Sequence, residues 1–469
     1  MADLLEGTLP ADAAPRARRG ALDRQPQLFV LLECDRPLAL STRHSLAGID
    51  TVVLGRGAER GASRDRRTLE LRIPDPWMSS THAAIARRHG SWVLEDAGSR
   101  NGTSVDGAPV DRQTLVDGDL IELGHTLFLF RDPLEVEPDD APDFDTAGVL
   151  PPAPGLLTAL PSYARQLATL RQIAPSEVGI LLLGESGTGK ELIARAIAGM
   201  SKRKGAFVGV NCGGIPDQLI ESEMFGAVKG AYTGATADRT GLIRTADTGT
   251  LFLDEIADLP PSSQAALLRV LQEKRVRPVG DTRDLPVDIR IVSATHRDLD
   301  GMVRSGAFRT DLFARLAGFR MTLPPLRERR EDLGILIGSI LLARMADRAR
   351  SVQIAPEAAR ALFRYDWPLN IRELENALST ASVLAAGDPI AVHHLPEQIR
   401  AFEAPAADRD RPGAERTLSA DEEQHRAELA ALLEQHRGNV SAVARATGKA
   451  RQQVHRWMKR YGLDPNRYR

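Results

Sequence analysis

Residues Gly179–Ala198 read GILLLGESGTGKELIARAIA. The apolar run Ile180–Leu183 predicts a short buried strand. A glycine-rich turn follows: Gly184, Glu185, Ser186, Gly187, Thr188, Gly189 and Lys190. Glu191–Ala198 then spaces apolar residues as a helix does. Strand, Gly-rich loop, Lys and helix together make a phosphate cradle. Loop N–H groups and the helix N-terminus face the anion, and Lys190 reaches the outer phosphates. Glu191 stands where a Ser or Thr hydroxyl commonly ligates magnesium, so that ligand is missing.

The second half of the site lies downstream. Gly249–Glu255 reads GTLFLDE, an apolar strand ending in two carboxylates. That places Asp254 at the metal end, on Mg2+, and Glu255 where it can orient or polarise the attacking water. Asn211 follows the strand Phe207–Val210. It is a candidate hydrogen-bond partner of Glu255 in one nucleotide state, or an ordinary turn residue. Ile289–Ala294 predicts a third strand, followed by Thr295 and His296. Amphipathic helical stretches lie between the strands. Residues 156–400 therefore read as α/β with a mainly parallel sheet, becoming helical from about 330.

The rest of the chain reads differently. At 469 residues it exceeds one core, and roughly 150 residues per domain suggests about three domains. Lys and Arg total 61 against 63 Asp and Glu, so no global basic field exists and nucleic-acid binding requires a local patch. No apolar run approaches the roughly 18 residues of a spanning helix. Cys34 and Cys212 cannot make a disulfide framework or a four-thiolate zinc site. Residues 1–26 lack the apolar core of a signal peptide and read as a flexible leader. A cytoplasmic location follows, with no membrane partner.

Residues 27–132 carry short apolar runs separated by turn signals such as Asn101-Gly102 and Asp117-Gly118, which predicts an all-β sandwich. Residues 133–155 and 401–418 are charged and Pro-containing, as linkers are. Residues 419–469 are helical by pattern. Asn439–Thr447 and Arg451–Tyr461 form two helices joined by Gly448-Lys449-Ala450. Val454, Trp457 or Met458, and Tyr461 make an inward stripe. Nine basic residues in 437–469 face Asp464 alone. This is an all-α helix-turn-helix with a local basic patch. Arg451, Gln452 and Gln453 are placed for base edges. Lys449, Arg456, Lys459 and Arg460 complete the DNA face, the last three suited to phosphates.

Residues 156–400 resemble the AAA+ ATPases that activate sigma-54-dependent transcription, where Glu after the loop Lys is normal. The supporting blocks include Glu223–Gly226, Phe308–Leu316, Leu323–Arg329 and Trp367–Asn376. The resemblance implies ATP and Mg2+ as cofactors. It implies that Arg309 and Arg315 act as fingers toward a neighbouring subunit, in a homo-oligomer that grows from dimer to hexameric ring. It makes Arg372 the sensor arginine of the lid and Thr295 part of the first sensor, with His296 where many relatives carry Asn. Gly230, Ala231, Tyr232, Thr233, Gly234 and Ala235 resemble the loop that contacts sigma-54 on its RNA polymerase, with Tyr for the usual Phe. Gly438–Leu463 resembles a Fis-type domain that pairs on enhancer DNA, with Ala450 where Ser often caps.

The β module resembles a forkhead-associated (FHA) domain. That implies Arg56 and Ser79 on phosphate, Asn101 on the peptide backbone and His82 in support of the loops, with a phosphothreonine protein or kinase as partner. Ser80 replaces the Arg that often follows the Ser. The whole is expected to be a regulated activator that remodels the closed polymerase complex by ATP hydrolysis. Two other readings stay open: a remodeller of a different protein, and a DNA-binding switch with a vestigial ATPase.

Overall fold

The computed structural model describes residues 22–137, 140–145, 155–231, 237–402 and isolated positions between 429 and 446. The N-terminal module is a sandwich of a seven-stranded and a six-stranded sheet. Asp23–Glu33 pairs antiparallel with Thr126–Val136 and with Thr42–Ser45 in the first sheet. Thr51–Arg56 pairs with Thr68–Ile73 and Ala83–Arg88 in the second. Strand alternation builds the core between them. Leu28, Val30, Phe128 and Phe130 meet Val52, Leu54, Leu69 and Ile85.

The sandwich extends beyond its expected limits at both ends. Asp23–Gln25, read as leader, pairs with Leu134–Val136, read as linker. Asp143–Phe144, also read as linker, adds a strand beside Thr42–Ser45. Asp143 is gripped there by His44 at 2.7 Å and by the Arg64 fork at 2.7 and 2.9 Å. These strand ends and the two-residue edge strand are too short for a periodic signal and are held by partners distant in sequence. Composition therefore could not reveal them.

The sheet of the second domain has five parallel strands. Their spatial order is Phe207–Asn211, Thr250–Asp254, Arg290–Thr295, Ile180–Leu183 and Phe319–Thr322. Both faces are covered: Leu181, Leu251 and Leu253 on one side, Ile180, Leu182, Phe252 and Val292 on the other. That is why these strands read as continuous apolar runs. The phosphate loop leaves the carboxyl end of Ile180–Leu183, where open α/β sheets bind their ligands.

The lid carries helix Leu333–Met345, sequence LGILIGSILLARM. Every residue from Leu333 to Leu341 is buried. A helix apolar all round needs cover on all sides. Helix Asn370–Ala385 and the neighbouring lid elements cover part of it. The FHA-like sandwich covers the rest. Phe29, Leu31, Leu127 and Leu129, on the outer face of the first sheet, share one core with Leu336, Ile337 and Ile340. Gly334 and Gly338 lie one turn apart and admit the backbone of Leu31 and Pro37. Ile354 N–H donates to the Cys34 carbonyl at 2.9 Å. Arg360 forks onto Glu122 at 2.6 Å twice, and Arg131 pairs with the buried Glu331.

Candidate functional site

The phosphate loop is built on three glycines with positive φ: Gly184, Gly187 and Gly189. At Gly187 a side chain would strike the Leu369 carbonyl, so the loop also needs glycine to admit the lid. Helix Lys190–Met200 starts directly after the loop. Lys190 Nζ donates to the carbonyls of Gly184 at 2.8 Å and Glu185 at 3.0 Å. Burial pulls its pKa below the usual value, against the pull of Glu255 and Asp254.

The lid grips this loop. Asn370 is fully buried at φ 57. Its Oδ1 accepts from Leu326 N–H at 2.7 Å, and its Nδ2 donates to Glu185 at 3.2 Å and to the Ser186 carbonyl at 3.0 Å. Arg327 forks onto Glu185 at 2.6 and 2.9 Å, holding that carboxyl below its usual range. Arg329 is buried over the Tyr163 ring and donates to the Thr188 carbonyl at 3.1 Å. Ile371 N–H donates to Gly187 at 2.9 Å. Arg372 reaches the Ser186 hydroxyl at 3.4 Å. Sequence reasoning gave no task to Arg327, Arg329 or Asn370. All three stood in blocks that it quoted, and their grip on the loop spans more than a hundred residues.

A cavity of about 490 Å³ opens between sheet and lid. Lys190, Glu191, Asp254, Glu255 and Arg372 line it, with Arg344 from the lid helix. Burial, then repulsion from Glu255, pushes the Asp254 carboxyl up. A raised carboxylate beside a phosphate cradle suits a cation. Among the described residues no cluster of three or more His, Cys, Asp or Glu side chains could hold a metal.

Glu255 occupies the left-handed region at φ 51. Its Oε2 accepts from Thr295 Oγ1 at 3.2 Å, His296 N–H at 3.3 Å and His296 Nδ1 at 2.8 Å. Burial raises this carboxyl, but the His296 hydrogen bonds and Lys190 outweigh it and hold it below the usual range. Asn211 is elsewhere: its Oδ1 caps the following turn through Gly213 N–H at 3.1 Å. Arg309 is exposed and forked onto its own Asp311 at 2.7 and 3.0 Å. Arg315 is exposed on the same helix, Thr310–Leu316, and neither arginine lines the cavity.

Two short paired strands, Gly226–Ala227 and Arg239–Thr240, flank the segment Gly230–Ala235 in sequence. Gly230 and Ala231 are described, while Tyr232, Thr233, Gly234 and Ala235 lie outside the described residues. So do Lys449, Arg451, Gln452, Gln453, Arg456, Lys459 and Arg460.

At one end of the sandwich three loops converge. Arg56 N–H donates to the Ser79 carbonyl at 2.9 Å. Ser79 Oγ accepts from Arg100 N–H at 3.2 Å. Asn101 Nδ2 donates to the Trp77 carbonyl at 2.8 Å. His82 is fully buried; its Nδ1 accepts from Ser79 N–H at 3.2 Å and its Nε2 donates to the Gly102 carbonyl at 3.0 Å. It ties two of the loops together. Arg72 reaches the Ser80 carbonyl, so a cation stands beside the residue that lacks one.

Residues 156–322 match the model of the sigma-54 interaction domain, and 327–412 match the AAA+ ATPase lid domain. The regulatory protein AtoC of Escherichia coli strain K12 is 43% identical over 316 residues, which are 66% of this chain and 68% of that one. The chain belongs to the sigma-54-dependent transcription regulators. The transcriptional regulatory protein ZraR of the same strain is 41% identical over 66% of this regulator and 69% of its own length. The acetoin catabolism regulatory protein of Cupriavidus necator is 42% identical over 70% of this regulator, but only 50% of its own length. Residues 52–124 of this regulator match the FHA domain and 420–467 a homeodomain-like domain. NtrX from Brucella abortus in complex with ADP is 34% identical over 64% of this chain and 68% of its own, with a TM-score of 0.48. The protein is a sigma-54-dependent transcriptional regulator with an FHA domain and an AAA+ ATPase. Among its described residues no helix is long and apolar enough to cross a membrane.

Proposed function

We propose that this cytoplasmic regulator binds enhancer DNA through its C-terminal module and remodels the closed sigma-54 polymerase complex into an open one. The convergence of Lys190, Asp254, Glu255 and Arg372 on one cavity between sheet and lid carries this reading. The loop that would touch sigma-54 springs from the same ATPase body.

Each residue has a task in that cycle. Lys190 exchanges its two loop carbonyls for the outer phosphates of ATP. Asp254 would hold Mg2+, which when bound supplies positive charge to the β- and γ-phosphate oxygens. Glu255 orients the attacking water and takes its proton. Arg372 moves with the lid and reports which nucleotide is present. Arg309 and Arg315 leave the cavity of their own subunit clear and face outward, as fingers for a neighbour in a hexameric ring require. An arginine supplied in trans accelerates hydrolysis by roughly 10³–10⁵. ATP binding and hydrolysis then shift the Gly230–Ala235 loop against sigma-54.

Phosphothreonine recognition by Arg56, Ser79 and Asn101 regulates the ATPase through the lid. Helix Leu333–Met345 carries the sandwich on one flank, while its Ile340, Ala343 and Arg344 line the nucleotide cavity. A phosphopeptide changes turnover to the extent that it binds two lid positions unequally.

Trapping tests the central claim. The protein is incubated with sigma-54 and an ATP transition-state analogue, with Thr233→Ala beside it. A nucleotide-dependent complex that the variant fails to form is expected. Intact ATP turnover with no complex would move the assignment to another remodelled protein.

A further inference from the structure

We propose that residues 33–41, which join strands Asp23–Glu33 and Thr42–Ser45, carry phosphothreonine occupancy from the sandwich to the lid, with Leu40 as the pivot. The inference rests on reading Arg56, Ser79 and Asn101 as a phosphothreonine site that regulates the ATPase.

The recognition loops rest on one side of this connection. Arg60 lies four residues after Arg56, just ahead of strand Gly61–Asp65. Its Nη1 donates to the Leu40 carbonyl at 2.8 Å and to Glu33 Oε1 at 3.2 Å. Only 10% of the Arg60 side chain is exposed, and Glu33 is buried beneath it. A buried carboxylate holds its cation firmly, so Arg60 is bound to the connection. The other two loops arrive together. Asn101 Nδ2 holds the Trp77 carbonyl, and Trp77 stacks on His125 with ring centroids 4.5 Å apart. His125 Nδ1 lies 3.2 Å from both Asp35 carboxylate oxygens, and its carbonyl accepts from Cys34 N–H at 2.9 Å.

The lid rests on the other side. The Cys34 carbonyl accepts from Ile354 N–H at 2.9 Å. A side chain at Gly338 would strike the Pro37 carbonyl and the Leu40 side chain, and one at Gly334 would strike Ser41 Oγ. Helix Leu333–Met345 therefore meets the connection backbone-first, without the slack of an intervening side chain. Close packing of this kind transmits displacement. Farther along the helix, Ile340, Ala343 and Arg344 line the nucleotide cavity.

Leu40 belongs to both sides. Its carbonyl is held by Arg60 and its side chain is seated on Gly338. Its backbone lies in the left-handed region at φ 52. A bulky residue persists there only when its surroundings over-determine it. A peptide that draws in the loop after Arg56 moves Arg60, and with it the grip that holds Leu40 in this conformation. By linkage, a nucleotide that resets the lid must then change peptide affinity by the same factor as the peptide changes nucleotide affinity.

The test uses the full-length protein. The probe is the tightest-binding phosphothreonine peptide from a randomised array, with its unphosphorylated twin as control. Its Kd is measured by anisotropy with and without a saturating non-hydrolysable ATP analogue. The nucleotide should change the wild-type Kd by at least about fivefold, in either direction. Arg60→Ala and Leu40→Ala should each cut that coupling below about twofold. Their peptide Kd without nucleotide should stay within about threefold of wild type, since neither side chain is free to meet the ligand. Arg112→Ala, in an exposed pair with Glu95, should keep the coupling. Hydrogen exchange on the wild type should show the peptide changing protection at Ile354 N–H and across residues 33–41.

Coupling that survives in Arg60→Ala or Leu40→Ala would overturn the inference and leave the regulatory reading standing. Equal loss in Arg112→Ala would overturn it too, and so would a variant that no longer binds the peptide, because its residue then belongs to the recognition site. Should the variants fail to fold, unchanged exchange at Ile354 and residues 33–41 overturns it. Absence of phosphate-dependent binding, or binding without coupling in the wild type, would instead overturn the reading beneath.

Discussion

Gly334 of the lid helix backs onto the carbonyl oxygen of Leu31 in the FHA sandwich, with no room for a side chain between them. Alanine within a helix normally gains up to about 1 kcal/mol over glycine, and less in the first turn, where Gly334 lies. Here the added methyl must push sheet and helix apart, at a cost of about 1–3 kcal/mol. Gly334→Ala is expected to lower the denaturant midpoint, and Gly334→Val to lower it further. A rise in the midpoint for Gly334→Ala would mean that the two bodies separate freely.

Arg360 and Glu122 cross the same interface with two bonds of 2.6 Å, and Glu122 is almost wholly buried. Truncating the arginine leaves a buried carboxylate without its cation. Arg360→Ala should cost about 2–4 kcal/mol in urea unfolding, somewhat under the value for a fully buried pair, because the arginine is partly exposed. Replacing both by Leu should cost less than Arg360→Ala alone. A double-mutant cycle with no coupling would remove this pair from the interface energetics.

Asp332 gives the lid a pH dependence. It is fully buried, accepts from Thr158 Oγ1 and Ala159 N–H at 2.7 Å, and burial pushes its pKa up to about 6, against the pull of Arg329. The folded state thus holds this proton more tightly than the unfolded chain, where aspartate titrates near 4. The contribution is fully present below about pH 4 and is lost as pH rises through about 6, by about 2–3 kcal/mol. Asp332→Asn should lack that fall. The check is the difference in unfolding free energy between wild type and variant from pH 4 to pH 7. A difference that does not change with pH would refute the shift.

Asn370 connects Leu326 to the phosphate loop from a left-handed backbone position. Asn370→Ala strands a buried N–H and frees Ser186. It should raise the Kd of a fluorescent ATP analogue by about tenfold, the equivalent of about 1.4 kcal/mol. Arg327→Ala should act on the same Kd with little effect on stability, since the Arg327–Glu185 pair is exposed. An unchanged Kd in both would show that the lid grip does not shape the cradle.

At the other end, Arg56→Ala or Ser79→Ala should weaken a phosphothreonine peptide at least tenfold, the scale of one charge-assisted hydrogen bond. Arg72→Ala should weaken it by less, because Arg72 is shared with Glu70 and the Ser80 carbonyl. Equal binding of the unphosphorylated peptide in a calorimetric titration would exclude the phosphate reading.

Local features are legible in the chain itself. Gly184–Lys190 reads as a phosphate cradle because strand, loop and helix follow one another in twenty residues. Asp254 and Glu255 are legible because they end one apolar strand. Leu28–Leu32 and Thr126–Phe130 read as strands, and their unbroken apolar runs follow from burial on both faces. What covers the second face is set by tertiary packing. It set the lid helix against the sandwich through Gly334, placed Asn370 and Arg329 on a loop more than 140 residues earlier, and gave Glu255 to His296 rather than Asn211. Periodicity reports how much of a face is buried. Which partner buries it depends on chain crossings that carry no local signal.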